Sequence, residues 1–216
     1  MVKEGYWYGL PLVLIAGGLM GVWLRTRSTG LLVLAFLFLL LAFLVLNFFR
    51  DPDREIPADP QVIVSPADGK VVQVAEETHE GRPVSRLSIF MSPLDVHVNR
   101  APIAGTIKDV AYHRGRFHVA SEPRASLENE QNVFTIRGEQ GEVVVKQIAG
   151  ILARRIVFWR RPGDPLARGE RVGLIKFGSR VDVLVDPTVE WRVRIGDRVR
   201  AGSSILGITR SQPPTL

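Results

Sequence analysis

The sequence predicts a mainly β domain, a short-stranded sandwich or barrel, preceded by an α-helical transmembrane hairpin. Three observations carry this reading. The first fifty residues hold two apolar runs of about nineteen residues each, a polar proline-rich stretch follows, and short β-branched runs fill the remainder. Turn residues punctuate those runs at about ten-residue spacing, the pattern of an all-β domain.

Taken in order, Tyr6 to Leu24 is apolar apart from glycines and Pro11, and Leu31 to Phe49 is apolar without a charge. Each run approaches the roughly twenty residues that a helix needs to cross a bilayer. Arg25 to Gly30 is a short link between them, so residues 1–50 read as a hairpin with both ends on one side. Trp7, Tyr8 and Trp23 sit near the run ends, where aromatic belts form. A cleaved signal peptide fits poorly, because both runs are long and no small-residue cleavage site follows. Arg25 and Arg27 in the loop balance Arg50 and Arg54 beyond it, so the charge bias leaves orientation open. We place the following domain on the cytoplasmic side, where its substrate is expected.

Residues 51–60 form a linker, Asp-Pro-Asp-Arg-Glu-Ile-Pro-Ala-Asp-Pro, that ends the second helix. Residues 61–216 are the β domain. Val62–Val64, Val71–Val74, Arg86–Phe90, Val133–Ile136, Val143–Ile148 and Val181–Val185 suit strands, and helices are expected near Ser92–Asp95 and Ala149–Arg155. Two segments, Ser65 to Val71 and Ile195 to Leu206, resemble the hammerhead halves of biotinyl and lipoyl carrier domains. Neither offers a lysine at a hairpin tip flanked by methionine or aspartate, so a swinging cofactor arm is not supported.

The chain has 216 residues, a net charge of +6 and no cysteine, which excludes disulfides, thiolate chemistry and Cys-ligated zinc. Its four histidines, His79, His97, His113 and His118, do not take a metal-ligand spacing, so no metal is expected.

One dipeptide has a chemical option beyond its usual role. Gly178-Ser179 is a good turn pair. At a tight bend, however, the serine hydroxyl can attack the preceding carbonyl and turn the amide into an ester. β-Elimination then leaves an N-terminal pyruvoyl group, an electrophile that this sequence otherwise lacks.

Four separated motifs then fall into order: Pro66-Ala67-Asp68-Gly69, Asp95 to Pro102, Glu128 to Asn132, and Lys176-Phe177-Gly178-Ser179-Arg180. Together they resemble the phosphatidylserine decarboxylase family, in its short form ending in Phe-Gly-Ser-Arg, over roughly Val62 to Ile208. The resemblance implies a proenzyme that splits between Gly178 and Ser179 into a large and a small chain. Ser179 would become the pyruvoyl cofactor, which holds substrate as a Schiff base and takes up the charge left by carbon dioxide. By family position His97 and Asp68 partner Ser179, with His97 also a candidate proton donor to product. Without the resemblance, Asp68 is a turn residue and His97 a core side chain. The family's longer members carry a second histidine where Arg100 stands here, so either His97 serves both steps or Arg100 and another histidine take over one of them.

Phe117 and His118, in a polar loop from Tyr112 to Ala120, and Lys176 and Arg180 are the candidate substrate-binding residues; His113 is a further candidate. Asn129 and Glu130 suit either a turn or a support for the cleavage loop, and Gln131 departs from the family's usual arginine. Arg154, Arg155, Arg160, Arg161, Arg168 and Arg171 lie among Ile156 to Trp159. Such a basic, aromatic segment suits an anionic leaflet or the substrate phosphate better than nucleic acid. The expected partners are an anionic phospholipid, the cell membrane and, by resemblance, a second copy in a homodimer. Acyl and ether lipids, phosphatidylserine or archaetidylserine, are not separated by sequence. The rival class is a non-enzymatic membrane-anchored adaptor, in which Phe177 to Arg180 is a plain hairpin turn.

Overall fold

A computed structural model describes residues 1–118, 125–139, 141–150, 155–176 and 179–209. The chain forms two compact units, Met1–Pro52 and Asp53–Leu216.

The first unit is two helices, α1 (Lys3–Thr26) and α2 (Thr29–Phe48). Arg27, in a left-handed conformation with φ 54°, and Ser28 connect them. They pack as a hairpin, with Val2 N–H donating to the Phe49 carbonyl at 3.2 Å. Small residues let the backbones approach: Gly5, Gly9 and Ala16 of α1 and Ala35 and Ala42 of α2 are buried. A Cβ on Gly5 would come within 2.8 Å of Phe49 Cβ. Both helices are long and apolar enough to cross a membrane, and only 11% and 17% of their apolar windows are buried. A core helix of a globular protein buries far more, so these faces suit hydrocarbon.

The second unit contains β1 (Val62–Val64), β2 (Gly69–His79), β3 (Arg82–Met91), β4 (Val98–Arg100), β5 (Gly105–His113), α3 (Ala125–Glu128), β6 (Gln131–Gly138) and β7 (Gly141–Ala149). There follow β8 (Ile156–Phe158), β9 (Pro165–Leu166), β10 (Arg171–Ile175), β11 (Ser179–Val185), β12 (Glu190–Trp191), β13 (Arg198–Val199) and β14 (Ile205–Ile208). Eight strands form one curled, antiparallel half-barrel in the order β13-β2-β3-β11-β7-β6-β5-β9. Two three-stranded sheets, β1-β14-β12 and β4-β10-β8, complete the unit.

All six expected strand segments lie inside strands, but several strands run longer. Polar Glu76 to His79 extends β2, because only one side of the β2–β3 hairpin needs to be apolar. Ser92–Asp95 is a turn rather than a helix: Asp95 Oδ2 accepts from Ser92 N–H at 2.8 Å, an Asp-closed bend that competes with a helix. The helix expected at Ala149–Arg155 falls largely outside the described residues, and Ala149 itself ends β7. The two carrier-like halves do meet. Arg198 and Val199 pair with Lys70 and Gly69, and β1 pairs with β14.

The core lies on one face of the large sheet. Ile89, Leu87, Val145, Phe134, Val181 and Val183 are all fully buried there. Alternation along β11 therefore puts Ser179 on the core face with Val181, and Arg180 and Asp182 on the other.

Candidate active site

Ser179 opens β11 at its junction with two neighbours, opposite Met91 of β3 and Ala149 of β7. It is fully buried, and its hydroxyl donates to the Met91 thioether sulfur at 3.3 Å. A thioether is a weak acceptor, so this oxygen is held in place without being committed to a strong bond. The residues just before it, Phe177 and Gly178, lie outside the described residues, and the expected cleavage bond with them.

His97 is buried just ahead of β4, and its carbonyl accepts from Ile175 N–H at 3.4 Å. That contact ties the histidine segment to β10, four residues before Ser179. The ring Nδ1 lies 2.9 Å from the Asp95 carbonyl. A carbonyl only accepts, so Nδ1 carries a proton, and in the neutral ring the lone pair sits on Nε2. Arg100, the family's second-histidine position, points elsewhere: it is buried and donates to the Gly169 carbonyl at 3.0 Å.

Asp68 has a different neighbourhood from the one its family position implied. Both its oxygens accept from Arg54 Nη2, at 3.0 and 2.8 Å, and Oδ1 also accepts from Ala201 N–H at 2.8 Å. The carboxylate thus joins the linker, the first carrier-like half and the second. The His97 ring is oriented by a backbone carbonyl instead.

Beneath Ser179 runs a buried amide ladder that sequence reasoning missed. Asn132 Nδ2 donates to Gln147 Oε1 at 3.0 Å, and Gln147 Nε2 to Asn99 Oδ1 at 2.8 Å. Asn99 Nδ2 reaches the Pro66 carbonyl at 3.4 Å and the same Met91 sulfur at 3.8 Å. The available signal was polar residues at core-facing steps of apolar strands, such as Gln147 in Val-Val-Val-Lys-Gln-Ile-Ala.

Asn129 fixes the third side. Its Nδ2 donates to the carbonyls of Ala149 at 2.7 Å and His118 at 2.9 Å, and its Oδ1 accepts from His118 N–H at 2.8 Å. Asn129 therefore braces the residue that pairs with Ser179 and anchors the Phe117–His118 segment beside it. Phe117 packs against the core, while His118 Nε2 lies 3.0 Å from Glu128 Oε2. Burial and a hydrogen bond to Glu130 push the Tyr112 hydroxyl up to about 12. Tyr112, placed in a polar loop from sequence, belongs to β5, as does His113.

Lys176 is half-buried and its N–H donates to the Arg155 carbonyl at 3.1 Å. Arg180 departs from the expectation of substrate contact. It is buried on the face opposite Ser179, with Nε 2.6 Å from Asp182 Oδ1 and Nη2 2.7 Å from Ser88 Oγ. Asp182 also accepts from Ser126 of α3 at 2.9 Å, and Arg86 lies 3.7 Å away. Burial pushes the nearby Lys146 amine below its ordinary value. The basic segment is partly consumed internally: Arg160 pairs with Glu170, and Arg168 donates to the Pro57 and Asp59 carbonyls. Among the described residues no cluster of acidic and histidine side chains suits a metal ion.

A family model described as phosphatidylserine decarboxylase matches residues 41–207. The chain belongs to that family. A phosphatidylserine decarboxylase proenzyme of Solibacter usitatus is 55% identical over 206 residues, 95% of both chains. A proenzyme of the same description from Geotalea uraniireducens is 44% identical, covering 96% of each chain. A third, from Salinibacter ruber, is 51% identical over 170 residues, 76% of this chain and 74% of that one. The family is one of decarboxylases, and the adaptor reading is set aside with it.

Proposed function

We propose that this chain is a proenzyme that cuts itself between Gly178 and Ser179 and then decarboxylates phosphatidylserine to phosphatidylethanolamine. The observation that carries the reading is Ser179 itself. It is a fully buried serine at a strand start, paired on both sides and bonded only weakly through its hydroxyl.

Self-cleavage requires Ser179 Oγ to lose its proton as it forms a bond to the Gly178 carbonyl carbon. His97 Nε2, with its tautomer set by Asp95, is the base we assign. The Gly178–Ser179 amide breaks to an ester with a free amine at residue 179. Removal of the residue-179 α-proton then expels the Gly178 carboxylate, and water releases the nitrogen as ammonia to leave a ketone. The surroundings fit that product, since Met91 and Ala149 offer an apolar lining for a methyl group and Ser179 gives up no strong bond.

The resulting pyruvoyl group supplies a ketone that takes the substrate amine and accepts the electron pair freed with carbon dioxide. The protein's part is positional. Asn129 and Asn99 hold the walls, Phe117 and His118 border the space, Lys176 supplies a cation for the headgroup, and His97 returns a proton to the α-carbon. The large chain keeps the helical hairpin in the membrane, with the catalytic unit on the cytoplasmic side.

Ser179→Ala is expected to leave a single intact chain that forms no phosphatidylethanolamine from phosphatidylserine, whereas the wild-type chain yields two fragments and product. Splitting that persists in Ser179→Ala, or product from an uncut chain, overturns the assignment.

A further inference from the structure

Register through the large sheet sorts its loops into two ends. Met91, Ser179, Ala149, Gln131 and His113 share one end through successive pairings, and Lys70 joins them through Phe90. The turn Ser92–Asp95 continues β3 beyond Met91, and the turn Arg194–Asp197 is bonded to Val71 at the start of β2. Both turns therefore project from the Ser179 end.

Each presents an aliphatic side chain to solvent: Leu94 is 70% exposed and Ile195 63%. The two turns are linked, because Arg198 Nη1 lies 3.4 Å from Asp95 Oδ1. Exposed cations surround them, namely Lys70, Arg194, Arg198 and Arg200. The nearby carboxylates are engaged locally, Asp95 by Ser92 N–H and Arg198, Asp197 by Arg194 N–H. The opposite end is of mixed charge, with exposed Glu80, Glu139 and Asp186 beside Arg82 and an Arg137 paired with Glu142. Two aliphatic tips in a basic rim match a bilayer with anionic headgroups: the tips enter the acyl boundary and the cations meet the lipid charge.

We propose that Leu94 and Ile195 insert into the anionic leaflet and set the Ser179 end of the catalytic unit against the lipid surface, so that substrate passes to the site without crossing water. The proposal rests on the reading of the substrate as a membrane phospholipid. It assigns a docking function to residues outside the catalytic machinery.

The absence of cysteine allows unique labels in the full-length protein. Leu94→Cys, Ile195→Cys and, at the opposite end, Glu139→Cys are each labelled with an environment-sensitive fluorophore. The proteins are reconstituted in vesicles of brominated phosphatidylcholine and phosphatidylglycerol. Labels at 94 and 195 are expected to shift blue and lose emission to the brominated chains, with the label at 139 unchanged. Equal quenching at all three sites, or none at 94 and 195, overturns the proposal; so does a blue shift without quenching, which would signify burial against a second protein copy.

Leu94→Asp with Ile195→Asp should raise KM for vesicle-borne phosphatidylserine roughly a hundredfold, the scale of two aliphatic side chains withdrawn from hydrocarbon. Turnover of a short-chain, monomeric phosphatidylserine should not change. An equal loss on both substrates contradicts docking. Quenching at 94 and 195 in a protein that decarboxylates neither substrate upholds docking and removes the substrate reading instead.

Discussion

Asp68 and Arg54 form a nearly buried pair, with side chains 13% and 9% exposed, at the point where the linker meets both carrier-like halves. Removing Arg54 leaves the carboxylate with the Ala201 N–H, a loss on the order of 2 kcal/mol for a charged hydrogen bond. If Asp68 acts by holding this junction, Arg54→Ala and Asp68→Ala should slow self-cleavage to a similar degree, with partial recovery in Arg54→Lys. Time courses of fragment appearance on gels measure this. Asp68→Ala that stops cleavage beside an unaffected Arg54→Ala would instead give Asp68 a direct part in the chemistry. Tyr112 supplies a pH signature. Its pKa is raised from 10.0 to about 12, so the folded chain keeps a proton that the unfolded chain releases. The stability it contributes is complete below pH 10 and is lost as pH rises towards 12. Urea midpoints should fall between pH 10 and about 12 in wild type, and less steeply in Tyr112→Phe.

Strand β11 is held on both faces: apolar contacts below, and the Arg180–Asp182–Ser88 cluster above. On the proposed self-cleavage, this clamp would hold a chain end at residue 179 in register once the preceding bond is broken. Arg180→Ala leaves the fully buried Asp182 carboxylate with the Ser126 hydroxyl and an Arg86 guanidinium 3.7 Å away, at a cost on the order of 2–3 kcal/mol for the lost charged hydrogen bonds. A large fall in melting temperature is the expected result, and an unchanged melting temperature would return Arg180 to the substrate side. The strands themselves were legible because β-branched runs and Gly-Asp turns are local signals. The Asp95 bend was not, since a four-residue helix and an Asp-closed turn look alike in sequence. Arg180 was misread for a related reason: adjacency to Ser179 in sequence means opposite faces on a strand.

At the scale of the molecule, the hairpin, the β unit and the order of the motifs were all readable from residue pattern. What was hidden depends on long-range pairing: the amide ladder of Asn132, Gln147 and Asn99, and the three-way junction at Asp68. A polar residue at a core-facing step hints at such a contact, but the partners of Gln147 and Asp68 lie on segments 48 and 133 residues away and are not readable locally. The register of the large sheet places Ser179 at the same end as the Ser92–Asp95 turn, whose Asp95 carbonyl orients the His97 ring. The central claim is that residue 179 is first the nucleophile and then the electrophile. Its most direct test is the mass of the small chain from purified wild-type protein. The account predicts a fragment starting at residue 179, blocked to Edman sequencing and lighter than the serine-started peptide by one ammonia. A serine N-terminus, or a single uncut chain that still releases carbon dioxide from phosphatidylserine, would contradict it.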